Sequence, residues 1–543
     1  MKCCCKSEYR GLIAIAIVAI IGISTGVQPV SSANILGVFL SSSPSHLIVH
    51  MSIMQTLAEN GHNITVVSTL KPKINHPKIH NIVIEPTEAR QKEMDEELSV
   101  LGVKKQNPLV MMMKFFRADN AMITLQLDAV KSEKFQSIYN NKYDLVIMGY
   151  FINNFQFIVP AKLKCPVIIS WTGPPMEMIN DFVGVPHEVS YVPSVFTPHI
   201  NGEVMSFGLR LFNFVSNGLL RLATNIMDIT FEGLYKELAA DDPTLRTFSQ
   251  MKQNVSLIFC NSHFSEGPIR PLVPNLVEIG GIQIKEKPTP LPKNIADFLN
   301  ASKGNGAILF SLGSNMKSTS IQPKTVNIIY KVLSSLPQNV IWKWENLDNT
   351  PGNASNILYQ KWLPQDDILA HPNLKLFITH AGKGGMVEAT YHSVPMVAMP
   401  VFAEQPTNAA KIVSSGYGLQ VDIINLKENE FRDAILEVLH NPVYRNNVRR
   451  FSELYRNRPM TARENVNFWV EYVLRHQGAA HMQSPLIHLN FVQSNSLDVI
   501  LAILLILYLL WKLMKFTIKL LCKLIYLAIG TLKAKSLNKS KRE

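Results

Sequence analysis

From residue 34 onward the chain keeps switching between two hydrophobic periods, and this alternation limits the fold more than any other feature. Asn34–Leu40 (NILGVFL) is an apolar, β-rich run. A serine-rich loop follows, and then Leu47, Met51, Met54 and Leu57 recur at helical spacing up to Asn60-Gly61. Ile64–Ser68 returns to strand composition. Strand, helix and strand in that order make a βαβ unit, which requires parallel strands and a right-handed crossover. Further strands are expected at 82–85, 143–148, 166–170 and 255–260. At Gly280-Gly281-Ile282 the texture breaks, and prolines 288, 290 and 292 mark a linker. The alternation then restarts at Ala307–Leu312, Val340–Trp344, Leu374–Thr379, Met396–Met399 and Gly418–Val421. The expected fold class is α/β, with two Rossmann-like doubly wound domains, 34–281 and 282–490, facing a cleft. In such sheets a ligand binds at the C-terminal ends of the strands.

The formal charge of +12 invites a nucleic-acid partner. Its distribution argues against one. From Lys512 to the C-terminus there are nine basic residues and one acid, and Lys2, Lys6 and Arg10 crowd the other end. The intervening chain is nearly neutral, so no nucleic acid is expected. Residues 1–33 read as a secretory signal peptide: a basic start, an apolar run Gly11–Ile23, and small residues at Ser31 and Ala33. Leu497–Met514 is almost wholly apolar, which suggests a transmembrane helix over 495–514 and a basic tail over 515–543. Lysines at its C-terminal side put that tail in the cytosol and the bulk of the chain in the lumen, a type I single-pass arrangement. Lys512, Lys515, Lys519 and Lys523 lie on one helical face, so the helix is expected to continue along the membrane surface.

Cysteine usage agrees. Only Cys165 and Cys260 would face the lumen, both in apolar stretches that suggest buried thiols. No spacing suggests a metal site, and none is expected. Four N-x-S/T sequons, at Asn63, Asn254, Asn300 and Asn353, suit a lumenal glycoprotein.

The most informative stretch is Trp362–Gln405 (WLPQDDILAHPNLKLFITHAGKGGMVEATYHSVPMVAMPVFAEQ). The strand Leu374–Thr379 delivers His380 to a glycine-rich turn, Ala381–Gly385, where a helix starts. Small residues let an anion reach backbone N–H groups at a helix N-terminus, where the dipole also favours it. Trp362-x-Pro-Gln365, Phe377-Ile-Thr-His380-x-Gly382, Glu388, His392-x-Val-Pro395 and Glu404-Gln405 together closely resemble the signature of family 1 UDP-glycosyltransferases of the membrane-bound animal type, most like the insect members. The likeness extends to the Ser45-His46 helix start, to Phe310–Ser314 and to both chain ends.

That resemblance implies a GT-B fold and a set of roles. Trp362 would stack on uracil, with Gln365 at its polar edge. Ser314, His380, Gly382 and the Gly384-Gly385 backbone would hold the diphosphate. Glu388 would accept the ribose hydroxyls, and Glu404 and Gln405 would hold the sugar. His46 would be the general base that takes the acceptor's proton. The co-substrate would be a UDP-sugar, with UDP-glucose expected and no cofactor held permanently. The acceptor would be a small lipophilic hydroxyl compound. An endoplasmic-reticulum location and oligomers with itself or related transferases are further implications.

Three positions depart from the pattern. Ala381 stands where glycine is common, and Gly385 where many insect members have serine. More seriously, the acid that usually partners the catalytic histidine is replaced by Gly149. Asp119 or Asp128 could substitute, the acceptors could be acidic phenols, or activity could be low. His50, four residues after His46, is read as packing or acceptor-site lining. Two functions therefore stay open: an inverting hexosyltransferase, or a nucleotide-sugar-binding partner subunit with little catalysis of its own.

Overall fold

The computed structural model describes residues 32–94, 121–194, 197, 204–302, 304–314, 318–401 and 404–540. The expected signal peptide thus lies outside the described residues up to position 31, as does Asp119. The chain up to Gln483 forms one compact unit, and Ser484–Glu543 forms another.

The first unit holds two parallel sheets. Strands β1 (Asn34–Phe39), β2 (Asn63–Ser68), β3 (Ile79–Val83), β4 (Leu145–Gly149), β5 (Val167–Trp171), β6 (Val255–Cys260) and β7 (Leu276–Glu278) form a seven-stranded sheet in the order β3-β2-β1-β4-β5-β6-β7. Strands β8 (Ala307–Ser311), β9 (Asn339–Lys343), β10 (Ile357–Gln360), β11 (Leu374–Thr379), β12 (Met396–Ala398) and β13 (Gly418–Gln420) form a six-stranded sheet in the order β10-β9-β8-β11-β12-β13. Every pairing is parallel. The two expected doubly wound sheets are therefore present. Sequence patterning missed β7 and β10, which are edge strands of three and four residues. So short a run carries almost no periodicity.

Both faces of each sheet are covered, which is why the central strands read as unbroken apolar runs. Along β1, Leu36 and Val38 enter one core, while Ile35 and Phe39 enter the core on the opposite face. Along β8, Ile308 and Phe310 divide from Ala307 and Leu309 in the same way. One helix crosses between the sheets in an unanticipated sense. Ala462–His476 follows all strands of the second sheet, yet its Ala462, Val466, Val470 and Val473 join the core of the first. Thr461 caps it with a reciprocal capping box to Glu464.

The helix Phe207–Leu238 buries Asn213, Asn217, Leu220, Met227, Phe231 and Tyr235. On the opposite side Phe207, Leu211, Phe214, Leu222, Ile226 and Ile229 are exposed. Cys260 is buried, Cys165 is half-buried, and both are free thiols.

The second unit is dominated by the helix Leu497–Ser540. Its segment Leu497–Ala534 has a mean hydropathy of 2.3 over its most apolar window and is long and apolar enough to cross a membrane. The lysine row from Lys512 to Lys523 lies on this same unbroken helix.

Candidate functional site

In a doubly wound sheet, the crevice opens where the strand order reverses, at the C-terminal ends of the two strands flanking the reversal. The first sheet reverses between β1 and β4, the second between β8 and β11. The candidate residues cluster at these ends. His46 follows β1, Gly149 ends β4, Ser314 follows β8, and His380–Gly385 follow β11.

At the second sheet, the glycine-rich turn is built around the His380 ring. Ideal Cβ atoms at Gly313 and Gly382 would both collide with that ring, so glycine is required on either side of it. Ala381 adopts φ 61°, the left-handed region. This explains why glycine is the easier residue there, and Ala381 occupies it fully buried, its carbonyl accepting from Asn408 Nδ2 at 3.0 Å. Gly382 caps the helix Lys383–Tyr391 in extended conformation. Gly384 has open space where a Cβ would stand, so its backbone is approachable. At Gly385 an added Cβ would come within 3.3 Å of the Gln365 amide nitrogen, so a serine there would crowd Gln365. The His380 Nδ1 is buried and has no hydrogen-bond partner. Burial, with Lys343 nearby, pushes the imidazole down to about 4.

Gln365 Nε2 donates to Glu388 Oε2 at 2.7 Å, so two of the expected nucleotide contacts touch each other. Burial, reinforced by Asp366, pushes the Glu388 carboxyl up to about 8. Trp362 is 40% exposed, and the Lys73 ammonium lies 2.9 Å from its ring centroid. Glu404 is the N-cap residue of the helix Gln405–Ser414, and burial pushes its carboxyl up against the favourable influence of its own and the Lys383 backbone N–H. Gln405 is buried, and its Oε1 accepts from Val401 N at 2.9 Å. His392 pairs with Asp366 at 2.7 Å.

At the first sheet, His46 lies in the first turn of the helix Pro44–Glu59, edge-on to Phe151 at 4.9 Å. Its Nδ1 is buried and unpartnered, and burial alone pushes the ring down to about 4. His50 lies one turn on. It is buried, stacks on Phe39 at 4.7 Å, and shares a 2.8 Å hydrogen bond with Ser170 Oγ. Packing is thus its structural part. A Cβ at Gly149 would come within 2.8 Å of His50 Nε2 and 2.9 Å of Phe39 Cδ1. The place where an acid was expected is filled by a second imidazole. Asp128 is no substitute, being exposed and bonded to Arg90 at 3.0 Å. Asp144 accepts from Asn34 N at 2.8 Å, at the other end of the strand.

Sequence reasoning missed two cations, Lys73 and Lys343, and one acid, Glu266. Lys73 comes from the loop after β2, and only spatial proximity reveals it. Lys343, at the end of β9, pairs with Glu345 at 2.8 Å. Lys383, in the glycine-rich turn, is paired with Glu266 at 2.6 Å, with side chains 17% and 5% exposed. Among the described residues, no group of three or more His, Cys, Asp and Glu side chains could hold a metal.

Comparison with known proteins gives concordant matches. The profile described as "UDP-glucoronosyl and UDP-glucosyl transferase" matches residues 37–530. UDP-glycosyltransferase UGT5 of Dactylopius coccus is 30% identical over 503 residues, covering 91% of this chain and 94% of that protein. Human UDP-glucuronosyltransferase 2B15 is 32% identical over 479 residues, covering 84% and 87%. Among solved structures, a UDP-glucosyltransferase from Polygonum tinctorium superposes with a TM-score of 0.52 at 14% identity, covering 82% of this chain and 100% of that one. This last likeness concerns the GT-B fold alone.

Proposed function

The chain belongs to the UDP-glucuronosyl and UDP-glucosyl transferase family, and from that premise we propose that it is an inverting hexosyltransferase using UDP-glucose and a small lipophilic hydroxyl acceptor. The observation that carries this reading is the placement of His46 and His380 at the switch points of two parallel sheets within one compact unit. In the proposed reaction the acceptor oxygen attacks the anomeric carbon as its proton passes to His46. The bond from that carbon to the diphosphate breaks, and UDP departs. Its charge is received by the N-terminus of the helix Lys383–Tyr391, with Ser314, His380 and the Gly384-Gly385 backbone around it. Trp362 offers an aromatic face to the base. Gln365 and Glu388, already bonded to each other, suit its polar edge and the ribose.

His46 is neutral at pH 7, which suits a base. Among the described residues no carboxylate supports its protonated form, so it is a weak base. This supports phenolic acceptors, whose protons leave readily, over aliphatic alcohols. The exposed apolar side of Phe207–Leu238 supports a lipophilic environment. The apolar C-terminal helix, with lysines on its C-terminal side, supports a membrane-anchored protein with a lumenal catalytic part in the endoplasmic reticulum and a cytosolic tail.

Full-length protein in detergent, given UDP-glucose and a panel of phenols, is expected to yield glucosides that disappear in His46→Ala. Absence of any His46-dependent conjugate would sink the reading. The second reading, a nucleotide-sugar-binding partner subunit, is favoured by the imidazole filling the acid's place. Tight UDP binding without turnover would support it. Because an added side chain at Gly149 meets His50, an acid has to be introduced there together with His50→Ala.

A further inference from the structure

Lys383 is the first residue of the glycine-turn helix, and its backbone N–H is near enough to the Glu404 carboxyl to favour the charged form. On the reading above, Glu404 and Gln405 face the donor's hexose, so the Lys383 side chain starts from the sugar end of the donor site. Its ammonium does not act there as a free charge. It is bound at 2.6 Å by Glu266, from the loop after β6 of the other sheet. Glu266 is almost wholly buried, and charges from Lys383 and Lys411 hold its carboxyl below the usual range despite burial. His263, close by, has an imidazole pushed down to about 4 by burial and by Arg458, so it adds no charge at neutral pH. The start of this helix therefore carries a cation already neutralised by a carboxylate from the other sheet.

We propose that Glu266 is a positioning residue that sets the charge class of the donor: by engaging Lys383 it makes the sugar end favour a neutral hexose over a uronic acid. Removing one member of a buried ion pair leaves the other charge unsatisfied and in need of a counter-ion. With Glu266 neutral, the carboxylate of a hexuronate donor would be that counter-ion. This inference rests on the donor-site reading above.

The test is a competition between UDP-glucose and UDP-glucuronate, with a phenol acceptor and full-length protein, after UDP binding has been measured by calorimetry. Glu266→Gln is expected to raise kcat/KM for UDP-glucuronate relative to UDP-glucose about tenfold, the scale of one charge-assisted contact. Glu266→Ala, which leaves room for water instead of an amide, is expected to move the ratio the same way. Glu266→Asp should keep the wild-type ratio, and Glu266→Gln combined with Lys383→Met should restore it. A merely structural role for Glu266 would lower both donors together and leave the ratio fixed, which overturns the proposal. An elevated ratio that persists without Lys383 also overturns it. Failure of the wild type to bind UDP overturns the donor-site reading itself, and is distinguished by the calorimetry.

Discussion

His46 and His380 lie at the switch points of the two sheets, one after β1 and the other after β11, and both are pushed down to about 4 with a buried, unpartnered Nδ1. They differ in what holds them. His380 is gripped by backbone, between Gly313 and Gly382, beside the left-handed Ala381. His46 is held by side-chain packing against Phe151, and His50, one turn on, is held by Phe39 and Ser170. A backbone-built site is written into sequence as obligatory small residues. A site built from side chains is assembled from distant segments that substitute for one another, so its partners can change while its histidine stays.

If the two histidines divide the labour as proposed, their loss should be read in different constants. His46→Ala is expected to lower kcat about 100- to 10,000-fold, the usual worth of a general base, with UDP affinity retained. His380→Ala should instead weaken UDP binding in calorimetry. Equal effects on kcat from both would break the distinction. On the donor side, Trp362→Ala should cost about 1–3 kcal/mol of UDP binding, the value of one stacked base. On the acceptor side, Gly149→Ala should destabilise the fold by about 1–3 kcal/mol through overpacking against His50. Adding His50→Ala should return part of that loss, measured by thermal unfolding.

Acid should affect both sites together. Folded His46 and His380 have pKa values near 4 against an ordinary value of 6.5, so the unfolded chain binds protons first. Stability from these groups is complete above pH 6.5 and should fall as pH drops from 6.5 to 4. The acid limb of kcat/KM should lie near pH 4, well below that of an ordinary histidine; a limb near 6.5 would show that the imidazolium has found a counter-charge. The smallest effect is expected from Ala381→Gly, which relieves the left-handed backbone and should stabilise by no more than about 1 kcal/mol.

The strand, turn and helix around His380 were legible because Trp362–Gln405 is contiguous and its structure is local. The alternation of strands and helices gave both sheets, except the short edges β7 and β10. What sequence could not show was contact across the chain. Lys73 over Trp362 and Glu266 on Lys383 join residues from different sheets, and neither carries a local signal. Gly149 was recognisable as a departure. Its reason, the His50 ring behind it, needed coordinates.

The helix Ala462–His476 has a bearing on how such proteins can be recombined. Its valines complete the first sheet's core, Arg463 reaches Thr56 at 3.0 Å, and Glu471 meets His62 at 3.0 Å. A chimera that joins the front half of one relative to the back half of another at the proline-rich linker would import a foreign core helix along with the second sheet. Fusions that return to the original parent before Thr461 keep that core intact.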